Sequence, residues 1–251
     1  MIFDTHAHYT DRRFDPDRDA LLASLPGRGV SLALTCGDSL RESRRALALA
    51  EQYDYIFAAC GVHPHEAKQW SVASVQELRE LLRHPKCVAL GEIGLDYHYD
   101  FSPRDVQRAC FAAQLALAKE MDMPVIVHDR EAHEDTLKLL RAFRPRGVMH
   151  CFSGSVAFAG EILALGMYIG LGGAVTFRNA RKPLEVAAAV PPERLLLETD
   201  APYMAPVPFR GQRCDSAHIR YAAERIAQAR GVDPQELTDR CNQNGRELFQ
   251  L

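Results

Sequence analysis

Two histidines stand two residues apart near the amino terminus, His6 and His8 in MIFDTHAHYT. In an extended chain residues i and i+2 share a face, so this stretch would bring two imidazoles into one space. A lone His-x-His pair can equally be structural, and its meaning depends on ligand-type residues at equivalent places elsewhere. The chain supplies them. Glu92 closes the apolar run CVALGE, His128 closes PVIVH, His150 closes GVMH and Asp200 follows RLLLET, while His63 and His65 in GVHPH come just after another run. Four imidazoles (His6, His8, His128, His150) and two carboxylates (Glu92, Asp200) exceed the needs of one tetrahedral ion. They suit two divalent ions about 3.5 to 4 Å apart sharing a carboxylate, and Glu92, midway along the series, is the natural bridge. Imidazole-rich shells favour Zn, Mn, Fe, Co or Ni over Mg, which prefers oxygen, and the residue types choose no further among the six. A metal pair of this kind activates water, and the chemistry it implies is hydrolysis.

The elements that must position these groups are short apolar runs alternating with longer amphipathic ones. The strands read as Met1 to His6, Ser31 to Cys36, Tyr55 to Cys60, Cys87 to Glu92, Pro124 to His128, Gly147 to His150, Met167 to Gly170 and Arg194 to Thr199. Helix signals fall between them: Asp15-Pro16, capping boxes at Ser39 to Glu42 and Ser74 to Glu77, and Ser102-Pro103 ahead of a stripe of Phe111, Leu115 and Ala118. Eight strands, each followed by helical sequence, fit a (β/α)8 TIM-type barrel, in which the carboxyl ends of all strands converge on one mouth. A doubly wound open sheet is the alternative, but no G-x-G-x-x-G follows the first strand. Residues 234–250 read as a final outer helix, and no linker or repeat divides 1–251, so the expectation is a single hydrolase barrel domain.

Composition narrows the rest. The chain has 251 residues, 47% of them hydrophobic, enough for a substantial core. No apolar run reaches membrane-spanning length and the start has no signal-peptide pattern, so the expected location is the cytoplasm, as a monomer away from membranes. Seven Cys without a C-x-x-C read as reduced thiols, neither a disulfide framework nor a thiolate zinc site. A net charge of −3 excludes broad coating of nucleic acid while leaving room for a local phosphate site. Arg130, two after His128, could grip a phosphate or pair with Asp129 or Glu131, and Tyr97 could stack on a base or pack into the rim. His84, His98, His133 and His218 read as solvated surface residues.

The blocks DTHAHY, GVHPHEA, GEIGLDY, HDREA, HCFSGS and ETDAPYMAP followed by Arg210-Gly211 resemble, in order, the signature of TatD-type metal-dependent deoxyribonucleases of the amidohydrolase superfamily. The resemblance implies a (β/α)8 barrel with a divalent metal pair that hydrolyses DNA, commonly single strands from the 3′ end. It implies metal ligation by His6, His8, Glu92, His128, His150 and Asp200, the residues already picked from strand ends. It further implies that His63 meets the scissile phosphate and that Asp200 both binds metal and takes the proton of the attacking water. Catalysis is therefore assigned to Asp200, His63 and Glu92, and substrate binding to His63, Arg130 and Tyr97. One departure stands out: Cys214-Asp215-Ser216 replaces the Asn-Glu-Pro of the family pattern, in the loop entering the last barrel helix. The competing enzyme reading keeps the site and changes the electrophile to an amide or ester, as in small-molecule amidohydrolases or an aminoacyl-tRNA deacylase. Against it, strand four ends in Glu92 where a carboxylated-lysine bridge would need Lys. A non-catalytic metal-binding scaffold would not explain His63 and Arg130.

Overall fold

Each apolar run becomes a strand and all eight lie parallel in one sheet, in the computed structural model, which describes residues 1–251. The strands are β1 (Ile2–Ala7), β2 (Val30–Cys36), β3 (Ile56–Cys60), β4 (Cys87–Asp96), β5 (Val125–Arg130), β6 (Gly147–Met149), β7 (Tyr168–Leu171) and β8 (Leu195–Leu197), paired in chain order. The sheet comes round on itself where β1 meets β8. The Thr5 hydroxyl donates to the Leu197 carbonyl at 3.0 Å, the Asp200 amide donates to His6 at 2.9 Å, and Ala7 bridges Ala201 in parallel. This is the (β/α)8 barrel expected from the sequence, and the open doubly wound alternative falls away.

The barrel interior is a cluster drawn from all eight strands: Phe3, Leu32, Leu34, Cys36, Ala59, Ala89, Ile126, Val148, Tyr168 and Leu196. Residues one step out of phase, such as Ala33, Leu90, Val127, Met149 and Leu197, join a larger core beneath the helices. Burial on both faces is why these strands read as continuous apolar runs rather than alternating ones. The helices are α1 (Arg18–Ser24), α2 (Leu40–Ala50), α3 (Val72–Leu82), α4 (Arg104–Glu120), α5 (His133–Phe143), α6 (Val156–Ala164), α7 (Arg181–Ala189), α8 (Ile219–Arg230) and the outer α9 (Pro234–Phe249). Leu248 and Phe249 of α9 join the interior cluster, with Phe249 edge-on to Phe3 at 6.0 Å, which seals the end of the barrel opposite the mouth. The α4 stripe of Phe111, Leu115 and Ala118 is buried as its spacing predicts. No helix is long and apolar enough to cross a membrane.

Two helix starts differ from the sequence reading. Ser71, not Ser74, caps α3: Ser71 accepts from the Ser74 amide while the Ser74 hydroxyl accepts from the Ser71 amide, and Glu77 turns outward to pair with Arg44. Starting α3 one turn earlier leaves Leu78 and Leu82 on its buried face. The helix signalled by Asp15-Pro16 begins at Arg18, after a short 3-10 turn, with Asp17 before it.

Candidate metal centre

Continuing each inner-facing row by two residues replaces the apolar interior with polar groups: Ile126 leads to His128, Val148 to His150 and Leu196 to Glu198. The remaining groups arrive through irregularities. The β1–β2 register shifts between Asp4 and Ala7, around His6, and the β4–β5 register shifts between Leu90 and Ile93, around Glu92. Such bulges re-aim side chains next to functional sites. Gly91 permits the second: a Cβ there would lie 2.7 Å from the Ile126 Cβ.

Glu92 sits at the middle, with its two oxygens facing different partners. Oε2 is 3.4 Å from Nε2 of both His6 and His8, whose Nε2 atoms are 3.0 Å apart and lie 3.7 and 3.4 Å from Asp200 Oδ1. Oε1 is 2.9 Å from His128 Nδ1 and 2.8 Å from His150 Nε2. His6 and Glu92 are deeply buried, while His8, His128 and Asp200 keep 16%, 18% and 20% side-chain exposure and so mark the side open to the mouth. Every ion pair of Glu92 and Asp200 is with an imidazole. Burial opposes ionisation of Glu92, yet the surrounding imidazoles, His150 foremost, and the His128 hydrogen bond outweigh it and hold the carboxyl well below the usual range. Burial likewise opposes the Asp200 charge, and the His8 hydrogen bond and charge keep its carboxyl low.

The outward nitrogens fix how each ring is presented. His8 Nδ1 meets the Cys36 carbonyl at 3.1 Å, which can only accept, so Nδ1 keeps its proton, and the Nε2 proton held by Asp200 and Glu92 is the one a bound ion would replace. His128 Nε2 meets Asp96 Oδ2 at 3.2 Å, so that nitrogen carries the proton and Nδ1 faces Glu92. This carboxylate–histidine pairing is what orients metal-binding imidazoles. Converging imidazole nitrogens and ionised carboxylates, with no Lys or Arg among them, form donor sets able to hold a divalent ion that displaces the ring protons; two are His6, His8 and Glu92, and His6, His150 and Asp200. His63 also lies with Glu92 and His128 in a compact group, but its chemistry differs. Its Nδ1 accepts from the His65 amide at 3.1 Å, and burial pushes its imidazole well below the ordinary value. It is therefore a neutral ring whose Nε2–H points at Glu92 Oε1, 3.5 Å away: a donor toward the centre rather than a ligand.

All six ligand-type residues picked from the sequence thus meet at one mouth, with His63 beside them. Arg130 stands exposed on the rim with its guanidinium 4.8 Å from the Tyr99 ring centre. The two acids that could have engaged it are used elsewhere, Glu131 by His98 and Asp129 by His133, each at 2.8 Å. Tyr97 does not present a free ring: Arg104 lies over it at 4.4 Å and its hydroxyl donates to Asp135 at 2.6 Å. Three of the four histidines read as solvated surface residues are ion-paired, His84 with Glu51 and the two just named. The fourth, His218, is half-buried, stacked on Phe209 and accepting from the Asp215 amide.

Several buried groups escaped the sequence reading. Asp96, four after Glu92, binds both His65 and His128, and Glu198 accepts from the Cys151 amide with His150 Nδ1 3.5 Å away. Both lie in quoted blocks, GEIGLDY and ETDAPYMAP, and the inner-row phase of Leu196 was the signal for Glu198.

A (β/α)8 barrel carrying this cluster at its carboxyl-end mouth defines a metal-dependent hydrolase of the amidohydrolase type. The chain belongs to the TatD related DNase family, whose model matches residues 3–250. It is 40% identical over 254 residues, the full length of both chains, to "Uncharacterized metal-dependent hydrolase YabD" of Bacillus subtilis (strain 168). It is 38% identical to "3'-5' ssDNA/RNA exonuclease TatD" of Escherichia coli (strain K12), covering 99% of this chain and 98% of that one. Among solved structures, the TatD homolog YJJV of Escherichia coli K12 superposes with a TM-score of 0.93 at 34% identity, covering 100% and 98% of the two chains.

Proposed function

We propose that this enzyme hydrolyses phosphodiester bonds of single-stranded DNA from the 3′ end, at a centre whose residues would hold two divalent ions around Glu92. His6, His8 and Asp200 would hold one ion and His128 and His150 the other. The observation that carries the reading is the division of Glu92, with one oxygen toward His6 and His8 and the other toward His128 and His150. The names of relatives such as the 3'-5' ssDNA/RNA exonuclease support the substrate class. Ions bound there supply Lewis acidity toward a phosphoryl oxygen and toward water. The protein's own groups do the rest. Asp200, kept ionised beside His8, accepts the proton of the attacking water. The Nε2–H of His63 donates to a phosphate oxygen as charge develops on it, and Arg130 adds a cation at the rim. The whole chain acts as one hydrolase unit. Seven free thiols, six of them buried, fit a reducing cytoplasm.

The test compares a 5′-labelled single-stranded oligonucleotide with a panel of activated amides and esters, for the parent, His63→Ala and Arg130→Ala, each loaded with several metals in turn. The parent should shorten the oligonucleotide stepwise from its 3′ end. Both variants should keep full metal content and lose roughly tenfold to a thousandfold in rate, as for one positioned donor. A parent that hydrolyses an amide or ester and leaves every oligonucleotide intact overturns the proposal.

A further inference from the structure

The turn that follows β4 carries two aromatic rings that no part of the core requires. Tyr99 is 48% exposed and Phe101 57%, and they stack on each other with centroids 5.2 Å apart and planes 25° from parallel. Most other exposed large hydrophobics are single aliphatic side chains scattered over the surface, and exposed Tyr203 has Arg13 over its ring at 3.9 Å. Water around paired aromatic faces is unfavourable unless something displaces it.

Three features connect this pair to the hydrolytic centre. His65 lies edge-on to both rings, 4.8 Å from Phe101 and 5.5 Å from Tyr99, and is itself 4.3 Å from His63. Arg130 places its guanidinium over Tyr99. Asp96 ties the turn and the centre together: Oδ1 accepts from the His98 and Tyr99 amides at 3.0 and 2.9 Å, while Oδ2 meets His65 and His128 at 2.9 and 3.2 Å. Buried Gln107 then clamps the turn at both ends, exchanging hydrogen bonds with the Asp96 backbone and donating to the Ser102 carbonyl. A satisfied, buried polar network of this kind holds geometry rather than allowing drift.

We propose that Tyr99 and Phe101 are a stacking shelf for one unpaired nucleobase of the substrate strand, held at a fixed distance from the reacting phosphodiester through Asp96. The proposal rests on the nucleic-acid reading given above. A base inside a duplex has its faces covered by neighbours and its edge paired, so the shelf selects single strands. Stacking needs only a π-face, so it is indifferent to base identity. The shelf also takes the role that sequence gave to Tyr97, whose ring is already covered.

The experiment scans a single abasic residue through the last few nucleotides of an oligonucleotide, comparing kcat/KM for the metal-loaded parent, Tyr99→Leu and Phe101→Leu. In the parent one position should be sensitive, with loss of the base costing about fivefold to 150-fold, the contribution of one stacked base. In both leucine variants that sensitivity should collapse toward unity through a raised KM, and Phe101→Trp should restore it. In the parent itself, 2-aminopurine at the sensitive position should lose fluorescence on binding. A parent that cleaves oligonucleotides but is insensitive at every position, or variants that keep the parent's sensitivity, overturns the shelf and leaves the nuclease reading standing. A parent that cleaves no oligonucleotide overturns the nuclease reading, and the shelf with it.

Discussion

Asp96 is the residue on which the centre's geometry turns, because its two oxygens serve different masters. Asp96→Asn keeps one oxygen for the His98 and Tyr99 amides but replaces the other with an amide NH2, which cannot accept from His65 or His128. The shelf turn should survive while His128 loses the partner that fixes its tautomer. Affinity for the ion on the His128 side should fall about 10- to 100-fold, with the other ion retained, and activity should recover as metal is raised. Calorimetric metal titration checks this, and two unchanged affinities would refute the positioning role. Glu92→Gln differs in kind: its charge faces both donor sets, so elemental analysis should find both ions depleted, whereas Asp200→Asn should deplete only the one shared with His6 and His8.

At the scale of elements, the departure at Cys214-Asp215-Ser216 becomes part of the seam that closes the barrel. Asp215 caps the turn into α8 by accepting from the Ala217 amide and pairs with Arg28, 3.0 Å away. Buried Ser216 donates its hydroxyl to Asp4 Oδ2 at 2.6 Å and its amide to the Tyr9 hydroxyl at 3.0 Å, while Asp4 also takes the Thr199 hydroxyl and amide. One fully buried carboxylate thus joins β1, the segment after β8 and the start of α8. Restoring the family residue with Ser216→Pro removes both donors and should destabilise the fold by about 1–3 kcal/mol, leaving buried acceptors unpaired. Arg28→Ala breaks a partly exposed pair and should cost about 0–1 kcal/mol. Thermal unfolding distinguishes them, and equal melting temperatures for the proline variant and the parent would show that Asp4 needs no donor from this turn.

For the molecule as a whole, metal binding and folding are linked, because the donor sets come from β1, β4, β5 and the residues just after β1, β6 and β8, and disperse on unfolding. At a hundredfold excess over its dissociation constant, one ion stabilises the folded state by about 2.7 kcal/mol. For a chain of this size that is roughly 5 to 10 °C in melting temperature, to be lost on chelation and regained in proportion to the logarithm of added metal. A melting temperature indifferent to chelator would remove the metal from the account. The net charge of −3 sets a second expectation. A strand end held at one mouth displaces few counterions, so log affinity for a short oligonucleotide should fall with log salt at a slope of about one to three. A much steeper slope would mean that the strand lies along the outer surface instead.

The sequence by itself determined the barrel and picked out six ligand-type residues that the fold brings to one mouth, for a local reason. Apolar runs mark strands, a parallel barrel gathers all strand ends at one mouth, and His6, His8, His128, His150 and Asp200 lie at or close to such an end, whereas β4 runs on past the expected stop at Glu92 to Asp96 and a register shift around Glu92 turns it to the centre. The start of α3 was less legible, because Ser71 and Ser74 are both plausible caps and only the burial of Leu78 and Leu82 chose between them. Tertiary structure alone decided the rest. Nothing local separates Tyr97 from Tyr99; the first is covered because α4 brings Arg104 and α5 brings Asp135 against it, and the second, with Arg130 over its ring and Phe101 stacked on it, still stays half exposed. Asp96 gains its role from His65 and His128, 31 and 32 residues away, and Ser216 from Asp4, 212 residues away. His63 is a donor rather than a ligand because the next turn spends its other nitrogen on the His65 amide. Strand ends are fixed by short-range periodicity, whereas the proton on a ring nitrogen and the exposure of an aromatic face depend on which distant groups folding brings within hydrogen-bonding distance.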